Sequence, residues 1–346
     1  MWVTVRGENY VEVLDGTTYA EKSRIIVPNG PGMQIFSPDS KYGYVCSSFT
    51  PETVVITVAD HHIVGRVPQA SPFCPNIAAT PDGTQVWFTL KDVGKTQVFD
   101  AKPPFTLLKS LDTGPITNHV NFAHNANGTF AYVTIGGLNE IKVFRTNNFS
   151  NVATIPVGKL PHGVWPSGDG TRIYVGLEND DRIVAIDTLT NKVIATTPSG
   201  QGAQAIVYVP GAVPSSDGTE GLQPLGVAGN ATHLTLMSTA TRNSSPGNAP
   251  TSVSLFDQGV LQVLQAAVTS LEPRHPYVLA LARQANGSGV LEPLSAFMTN
   301  PAGAQIVNAE GPIRQSVLAE GSRRRYLVIA SGTPSHLGTV VQIQSP

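Results

Sequence analysis

The sequence predicts an all-β protein in which one short unit recurs along most of the chain. Three observations support this fold class. The chain contains 33 glycines and 27 prolines but only 13% charged residues, a balance typical of turn-rich β proteins. A phrase made of an aromatic residue, Val or Phe, and a small residue returns at a nearly constant interval. Each copy is followed by further short apolar runs bounded by turn residues, as expected for strands.

The recurring phrase is predicted to form the second strand of each unit. Successive copies begin 42, 43, 45 and 42 residues apart. Four of the five copies follow a turn rich in Asp, Asn, Ser and Gly, residue types that suit hairpin connections. The copies are Trp2-Val3-Thr4, Tyr44-Val45-Cys46, Trp87-Phe88-Thr89, Tyr132-Val133-Thr134 and Tyr174-Val175-Gly176.

Two more strands are predicted after each phrase. Four short strands in about 43 residues are typical of one blade of a β-propeller, whereas a plain β-sandwich would not predict a fixed period. The third strands are predicted at 11–15, 54–60, 96–100, 141–145 and 183–187, and the fourth at 24–30, 63–70, 107–114, 152–158 and 193–200.

These phrases resemble the YVTN-type β-propeller repeat family, whose name echoes the motif that Tyr132-Val133-Thr134 and Trp2-Val3-Thr4 retain. The resemblance covers residues 1 to about 210 and implies a propeller. The family includes binding proteins, surface-layer proteins and relatives of propeller lactonases, so it implies several functions. It also implies export to a periplasmic or extracellular location.

The ends of the repeated region are expected to share one blade. Residues 1–30 begin at a second strand, and residues 203–209 stand where a sixth first strand is expected. Their pairing would close a ring of about five blades over residues 1–210 and leave no open sheet edge. A second possibility is that further blades and an export signal lie upstream.

Beyond the repeats, the sequence predicts a linker over 211–231 and a small β-sandwich-like domain over 232–346. The 43-residue period is absent from this part, and residues 258–271 fit either a short helix or two strands. The strands are predicted at 233–238, 251–257, 277–283, 326–331 and 339–344.

Composition argues against several classes of partner. The formal net charge is −2 and the only basic run is Arg323-Arg324-Arg325, so nucleic acid is not expected as a partner. No window approaches the roughly 18 consecutive apolar residues of a membrane span, and the N-terminus lacks a signal-peptide pattern. Cys46 and Cys74 are the only cysteines. Their pairing is an alternative, but two unreactive thiols are expected.

The loops at one face of a propeller meet around its axis, which selects the candidate site residues. The loops entering the first strands and those joining second to third strands should form a polar ring that binds a small molecule. The predicted catalytic residues are His119, His162, Arg6 and Glu178, and the predicted substrate-binding residues are Asn76, Lys91, Asn118, Gln204 and Ser48.

His119 and His162 fall at nearly equivalent positions of adjacent units, and three interpretations apply to them. One is a general base that activates water while Arg6 or Lys91 stabilises an oxyanion, as in lactone or ester hydrolysis. A second makes them transition-metal ligands, with His124 as a third. The third is a purely structural role.

Other motifs narrow the function only slightly. The acidic loop 178–181 offers oxygen ligands for calcium, although a solvated turn is the simpler interpretation. His233, His275 and His336 have no evident partners. No GxSxG, HExxH, P-loop or dinucleotide motif occurs. The sequence therefore favours a lactone or ester hydrolase, with a non-catalytic propeller of the cell envelope that binds a ligand or a protein as the alternative.

Overall fold

The protein is described from a computed structural model, which covers residues 1–213, 231–239, 249–258 and 261–345. The described residues form an all-β structure of five small antiparallel sheets followed by one eight-stranded sheet. Of the predicted linker, residues 214–230 lie outside the described residues.

The five small sheets confirm the predicted strand repeats. In each of them the aromatic phrase lies on the predicted strand and the later strands follow in sequence order. The first sheet has three strands, β1 (Trp2–Val5), β2 (Tyr10–Leu14) and β3 (Glu21–Ile26). The second has β4 (Pro31–Phe36), β5 (Tyr42–Ser47), β6 (Glu52–Thr57) and β7 (Ile63–Pro68). The third has β8 (Ile77–Ala79), β9 (Gln85–Leu90), β10 (Lys95–Asp100) and β11 (Leu107–Asp112). The fourth has β12 (Thr117–Asn125), β13 (Gly128–Ile135), β14 (Glu140–Arg145) and β15 (Asn151–Pro156). The fifth has β16 (Pro161–Pro166), β17 (Arg172–Leu177), β18 (Arg182–Asp187) and β19 (Lys192–Pro198).

The aromatic phrase recurs because it packs one sheet on the next. Tyr44, Trp87 and Tyr132 are fully buried. The Tyr44 hydroxyl donates to the carbonyl of Ala101 in the third sheet at 2.6 Å, and Trp87 packs edge-on against Phe122 of the fourth. Since successive side chains of a strand point to opposite faces, the Val or Phe that follows the aromatic residue packs on the opposite face of the sheet. The sheets therefore form a face-to-face series, and this repeat-like architecture fits a β-propeller.

The predicted closing strand is not formed. The first sheet has only three strands, and residues 203–209 are not in a strand and do not pair with β1. They lie instead against the fifth sheet, where Tyr208 stacks on Tyr174 with ring centroids 5.8 Å apart. A Cβ at Gly163 would lie 2.7 Å from the Gln204 carbonyl oxygen, so glycine permits this close approach.

The C-terminal part is a single sheet rather than the predicted sandwich. Its eight strands are β20 (Thr232–Ser238), β21 (Thr251–Gln258), β22 (Leu261–Val268), β23 (Pro276–Ala282), β24 (Leu291–Met298), β25 (Gln305–Gly311), β26 (Tyr326–Thr333) and β27 (His336–Gln344). They pair in the order β24-β23-β26-β27-β20-β21-β22-β25, and the edge strands β24 and β25 are in contact, so the sheet is a nearly closed barrel. Leu264, Leu279 and Ile329 belong to its buried core. The five predicted strands are present, and residues 261–268 form one strand rather than the predicted helix or two strands. Two further strands, β24 and β25, were missed.

The described residues contain little helix. They include one α-helix, α1 (Ile313–Val317), and 3-10 turns at Lys91–Val93 and Gly321–Arg323. None of the helices within the described ranges has the length and apolar character needed to cross a membrane.

The expectation of two free thiols is wrong, because Cys46 and Cys74 form a disulfide. Cys46 lies near the end of β5, and the loop that enters the next sheet brings Cys74 beside it. Their Cα atoms are 6.0 Å apart, within the range that a disulfide spans. The sequence separation of 28 residues gave no indication of this contact.

Candidate functional site

Five residues occupy the same place in the five small sheets. Each is the residue directly after the second strand, so the repeat brings them to the same end of their sheets. The five are Arg6, Ser48, Lys91, Gly136 and Glu178.

A cavity of about 390 Å³ lies between this end of the small sheets and the barrel, and we call it the capped cavity. Five of the predicted site residues line it. It therefore combines charged groups from the repeats with amide groups from the barrel. From the repeats come Arg6, Phe73, Lys91, Asp92, Ile116, His162, Glu178 and Gln204, and from the barrel Gln265, Asn300, Gln305, Ile306 and Asn308.

Polar contacts next to the capped cavity hold the barrel against the repeats. The Asn179 amide donates to the Ser252 hydroxyl at 2.9 Å and accepts from the Ser254 hydroxyl at 2.9 Å. His233 bonds to Asp181 through Nε2 at 2.9 Å and to Ser254 through Nδ1 at 2.9 Å. His233 therefore has partners that its sequence context did not indicate.

An apolar contact completes the same interface. Ile116 and Leu160 of the repeats share a buried cluster with Ala267, Ala304 and Ile306 of the barrel. Burial of these side chains stabilises the contact by removing apolar surface from water. The barrel is therefore packed onto the repeats and forms one wall of the capped cavity.

A short hydrogen bond in the capped cavity joins His162 to Glu178. His162 Nδ1 lies 2.6 Å from Glu178 Oε2, and the Gln204 amide donates to Glu178 Oε1 at 2.7 Å. Burial raises the pKa of Glu178, but the His162 and Gln204 hydrogen bonds and the Lys91 charge more than offset this, so the net pKa is lowered. The ionised Glu178 accepts a hydrogen bond from Nδ1–H of His162. The ring proton therefore stays on Nδ1, and Nε2 is the basic nitrogen.

Burial also sets the protonation of His162. Desolvation lowers the pKa of His162, and the nearby Lys91 charge adds to this, while the Glu178 hydrogen bond opposes it. The net shift is downward, so His162 is neutral at neutral pH. Among the described residues, Nε2 of His162 has no hydrogen-bond partner.

Arg6 and Lys91 bring positive charge to the same cavity. Within the described ranges, neither cation has a carboxylate within 4.0 Å. The Arg6 guanidinium lies over the rings of Phe49 and Phe73, at 5.3 and 5.5 Å from their centroids. Burial lowers the pKa of Lys91, although the charges of Glu178 and Asp92 oppose the shift. The two cations are therefore available to a ligand.

His119 lies beside His162 but lines a different space. The two rings meet edge to face with centroids 4.8 Å apart. Strand pairing aligns Thr117 with Ile135 and Pro161 with Leu177, so His162 corresponds to Asn118, and His119 is one residue further along. A one-residue offset reverses the side of the strand, which explains why the two histidines differ in their surroundings.

The second space is a cavity of about 290 Å³, which we call the axial channel. Burial, together with the charges of His162 and Lys91, lowers the pKa of His119 to about 3. His119 is therefore neutral above that pH. The channel is lined by β4, β8, β12 and β16 and by residues 205–206, through Met33, Ile35, Asn76, Ile77, Ala78, Ala79, His119, Val120, Asn121, Val164, Trp165, Pro166, Ala205 and Ile206.

Three predicted binding residues do not line the capped cavity. Asn118 is buried, and its amide donates to the carbonyl of Pro161 at 2.8 Å, which joins two neighbouring sheets. The Asn76 side chain accepts from the backbone N–H of Val120 at 2.9 Å and faces the axial channel. Ser48 is buried beside Gly32 and lines neither space.

The part of the chain that the structure describes gives no support for the metal sites considered above. Among the described residues, no three His, Cys, Asp or Glu side chains are arranged to hold a metal ion. His124 is exposed and bonds to Thr129. In the acidic loop, Asp180 accepts from the backbone N–H of Lys159 at 2.7 Å, and Asp181 bonds to His233.

Sequence reasoning missed every barrel residue of the capped cavity. Gln265 lies on β22, and Gln305 and Asn308 lie on β25, a strand that was not predicted. These residues belong to no repeat, so no spacing linked them to the polar ring. Asp92 follows the predicted Lys91, and Phe73 lies three residues before the predicted Asn76, so their loop positions were the only available signal.

Comparisons with known proteins show the fold but not the function. No family model matches this chain, and no curated protein matches it. Among solved structures, the chain is similar to the crystal structure of a functionally unknown protein from Desulfotomaculum acetoxidans DSM 771. The TM-score is 0.53 at 12% identity, and the match covers 99% of this chain and 94% of that one.

Proposed function

We propose that the protein is a hydrolase that cleaves a lactone or ester of a small molecule in the capped cavity. The observation that carries the proposal is the Glu178–His162 pair, which presents an unpartnered Nε2 next to two cations without carboxylate partners. A neutral imidazole held by a carboxylate is suited to take a proton from water.

The chemistry follows from these groups. His162 Nε2 accepts a proton from water as the water oxygen bonds to the carbonyl carbon. The carbonyl oxygen becomes an oxyanion, which Arg6 and Lys91 stabilise. The carbon–oxygen bond to the leaving alcohol then breaks, and His162 returns the proton to the alkoxide. The products are a carboxylic acid and an alcohol, or a hydroxy acid from a lactone.

Glu178 and Gln204 act through His162 in this scheme. The Glu178 carboxylate fixes the ring with its proton on Nδ1 and stabilises the imidazolium that forms. The Gln204 amide fixes Glu178 in turn. The His119 ring packs against the His162 ring, and its low pKa keeps a second positive charge away from the base.

We further propose that the small sheets form a five-bladed propeller of the YVTN type. Four first strands and residues 205–206 line one axial channel, which supports a fifth, incomplete inner segment. A periplasmic or extracellular location is supported by the Cys46–Cys74 disulfide, since such bonds persist in oxidising compartments.

A panel of acyl-lactones and aryl esters, assayed with and without chelator, tests the hydrolase proposal. We expect turnover that is insensitive to chelator and is lost in His162→Ala. Turnover that survives this substitution would remove His162 from the mechanism. Ligand binding without any turnover would favour the alternative, a non-catalytic binding protein that uses the same charged cavity.

A further inference from the structure

Neighbouring residues line the capped cavity and the axial channel at two places. His162 lines the first and His119 the second, and their ring centroids are 4.8 Å apart. Gln204 lines the capped cavity, and the next residue, Ala205, lines the channel. The proposed base therefore lies between the two spaces.

The two spaces differ in chemistry. Most side chains of the axial channel are apolar, and Met33 and Trp165 expose 40% and 37% of their surface. Its two amide side chains are already engaged by the backbone. Asn76 accepts from Val120, and Asn121 accepts from the backbone N–H of Phe122 at 2.9 Å. The channel thus presents apolar surface, which suits an aliphatic group.

The capped cavity suits a polar group rather than an aliphatic one. Its wall holds the Arg6 and Lys91 cations, and Oε1 of Gln265 is buried without a hydrogen-bond partner among the described residues. A buried acceptor of this kind is stabilised by a donor such as a hydroxyl or an N–H. A ligand that fills both spaces is therefore amphipathic.

We propose that the substrate is an ester or lactone derivative with a flexible acyl chain, which lies in the axial channel while the polar part lies in the capped cavity. This inference rests on the proposed hydrolase function. The reacting carbonyl then lies between the two spaces, beside His162. The alcohol or amide part of the substrate donates to Gln265.

Binding of straight-chain carboxylates tests the acyl site without turnover. Calorimetric titration with butanoate, hexanoate, octanoate and decanoate should show affinity that rises about fourfold for each added methylene until the channel is full. Met33→Trp narrows the channel and should flatten this dependence. Met237→Trp changes another exposed methionine, on β20, and should retain it.

A second variant provides an opposite change. Trp165→Ala widens the channel and should move the plateau to longer chains. Affinity that is independent of chain length in the native protein, or an unchanged dependence in a folded Met33→Trp protein, would overturn the acyl site.

The outcomes also separate this inference from the hydrolase proposal. Length-dependent binding of carboxylates without ester turnover would reject the hydrolase and keep the acyl site. Ester turnover at rates that do not depend on acyl length would keep the hydrolase and reject the acyl site.

Discussion

The two walls of the capped cavity contribute different chemistry. The repeat wall carries the ionisable groups Arg6, Lys91, His162 and Glu178, whereas the amides Gln265 and Gln305 lie on the barrel wall. Charged groups placed by a rigid repeat can act on a reacting bond, and neutral amides can orient a substrate without changing its reactivity. We therefore propose that the repeat wall performs the reaction and that the barrel wall orients the polar part of the substrate.

Loss of the base should have the largest effect. His162→Gln removes Nε2 as a proton acceptor and should lower kcat by about 10²–10⁴-fold. The matched control is His124→Gln, which changes an exposed histidine outside both spaces. Steady-state kinetics on the best ester would check this. Equal activity in the two variants would move the chemistry away from the repeat wall.

Loss of a cation should have the next largest effect. Lys91→Met removes a charge that stabilises the oxyanion and should lower kcat about 10²-fold with little change in KM. Lys95→Met removes a lysine that pairs with Asp112 at the surface and should leave the rate unchanged. A change confined to KM in Lys91→Met would assign Lys91 to binding alone.

The repeat wall should also depend on the disulfide. Cys46→Ser with Cys74→Ser should lower the free energy of unfolding by about 2–4 kcal/mol, because the crosslink restricts the unfolded chain. Urea denaturation would measure this. Stability equal to that of the native protein would show that the disulfide is dispensable for the repeat wall.

The low pKa of His119 should appear as a pH-dependent stability. Its folded-state pKa of about 3 lies below the ordinary histidine value of 6.5, so the unfolded chain binds the proton more readily between these values. The contribution of His119 to the free energy of unfolding is fully present above pH 6.5. It falls as the pH decreases below that value, by up to about 1.4 kcal/mol per pH unit. His119→Gln should reduce the slope of unfolding free energy between pH 6 and 4.5. A slope identical to that of the native protein would contradict the burial of a neutral imidazole.

The barrel wall should show the smallest effect and a different kinetic signature. Gln305→Ala removes one hydrogen-bonding amide and should raise KM about fivefold with kcat unchanged. Gln284→Ala changes an exposed glutamine of the same domain and serves as the control. A fall in kcat as large as that of Lys91→Met would erase the distinction between the two walls.

The same comparison explains how much the sequence could predict. The period placed Arg6, Lys91 and Glu178 at equivalent strand ends, and these residues do line one cavity. It placed His119 and His162 at nearly equivalent positions but missed their one-residue offset, because the offset depends on the pairing register, in which Val120 pairs with Val133 and Val164 with Val175.

The rest depended on contacts between distant segments. The barrel amides and the Cys46–Cys74 bond join parts of the chain that no repeat relates. The closing strand was predicted from a pattern that residues 203–209 share with true first strands. Their pairing with β1 is not formed, since they pack on the fifth sheet beside Gly163 and Tyr174 instead. β24 was missed because Pro293 and its many exposed residues conceal the strand pattern.

A crystal structure of the protein with an alkyl phosphonate, an analogue of the tetrahedral intermediate of ester hydrolysis, would test the central claim most directly. Such analogues bind more tightly than substrates where a site is complementary to the transition state. We predict that the phosphonate oxygens contact Arg6 and Lys91 in the capped cavity, with the barrel amides around the remaining polar atoms. An inhibitory phosphonate bound at any other surface, with the capped cavity unchanged, would contradict the account.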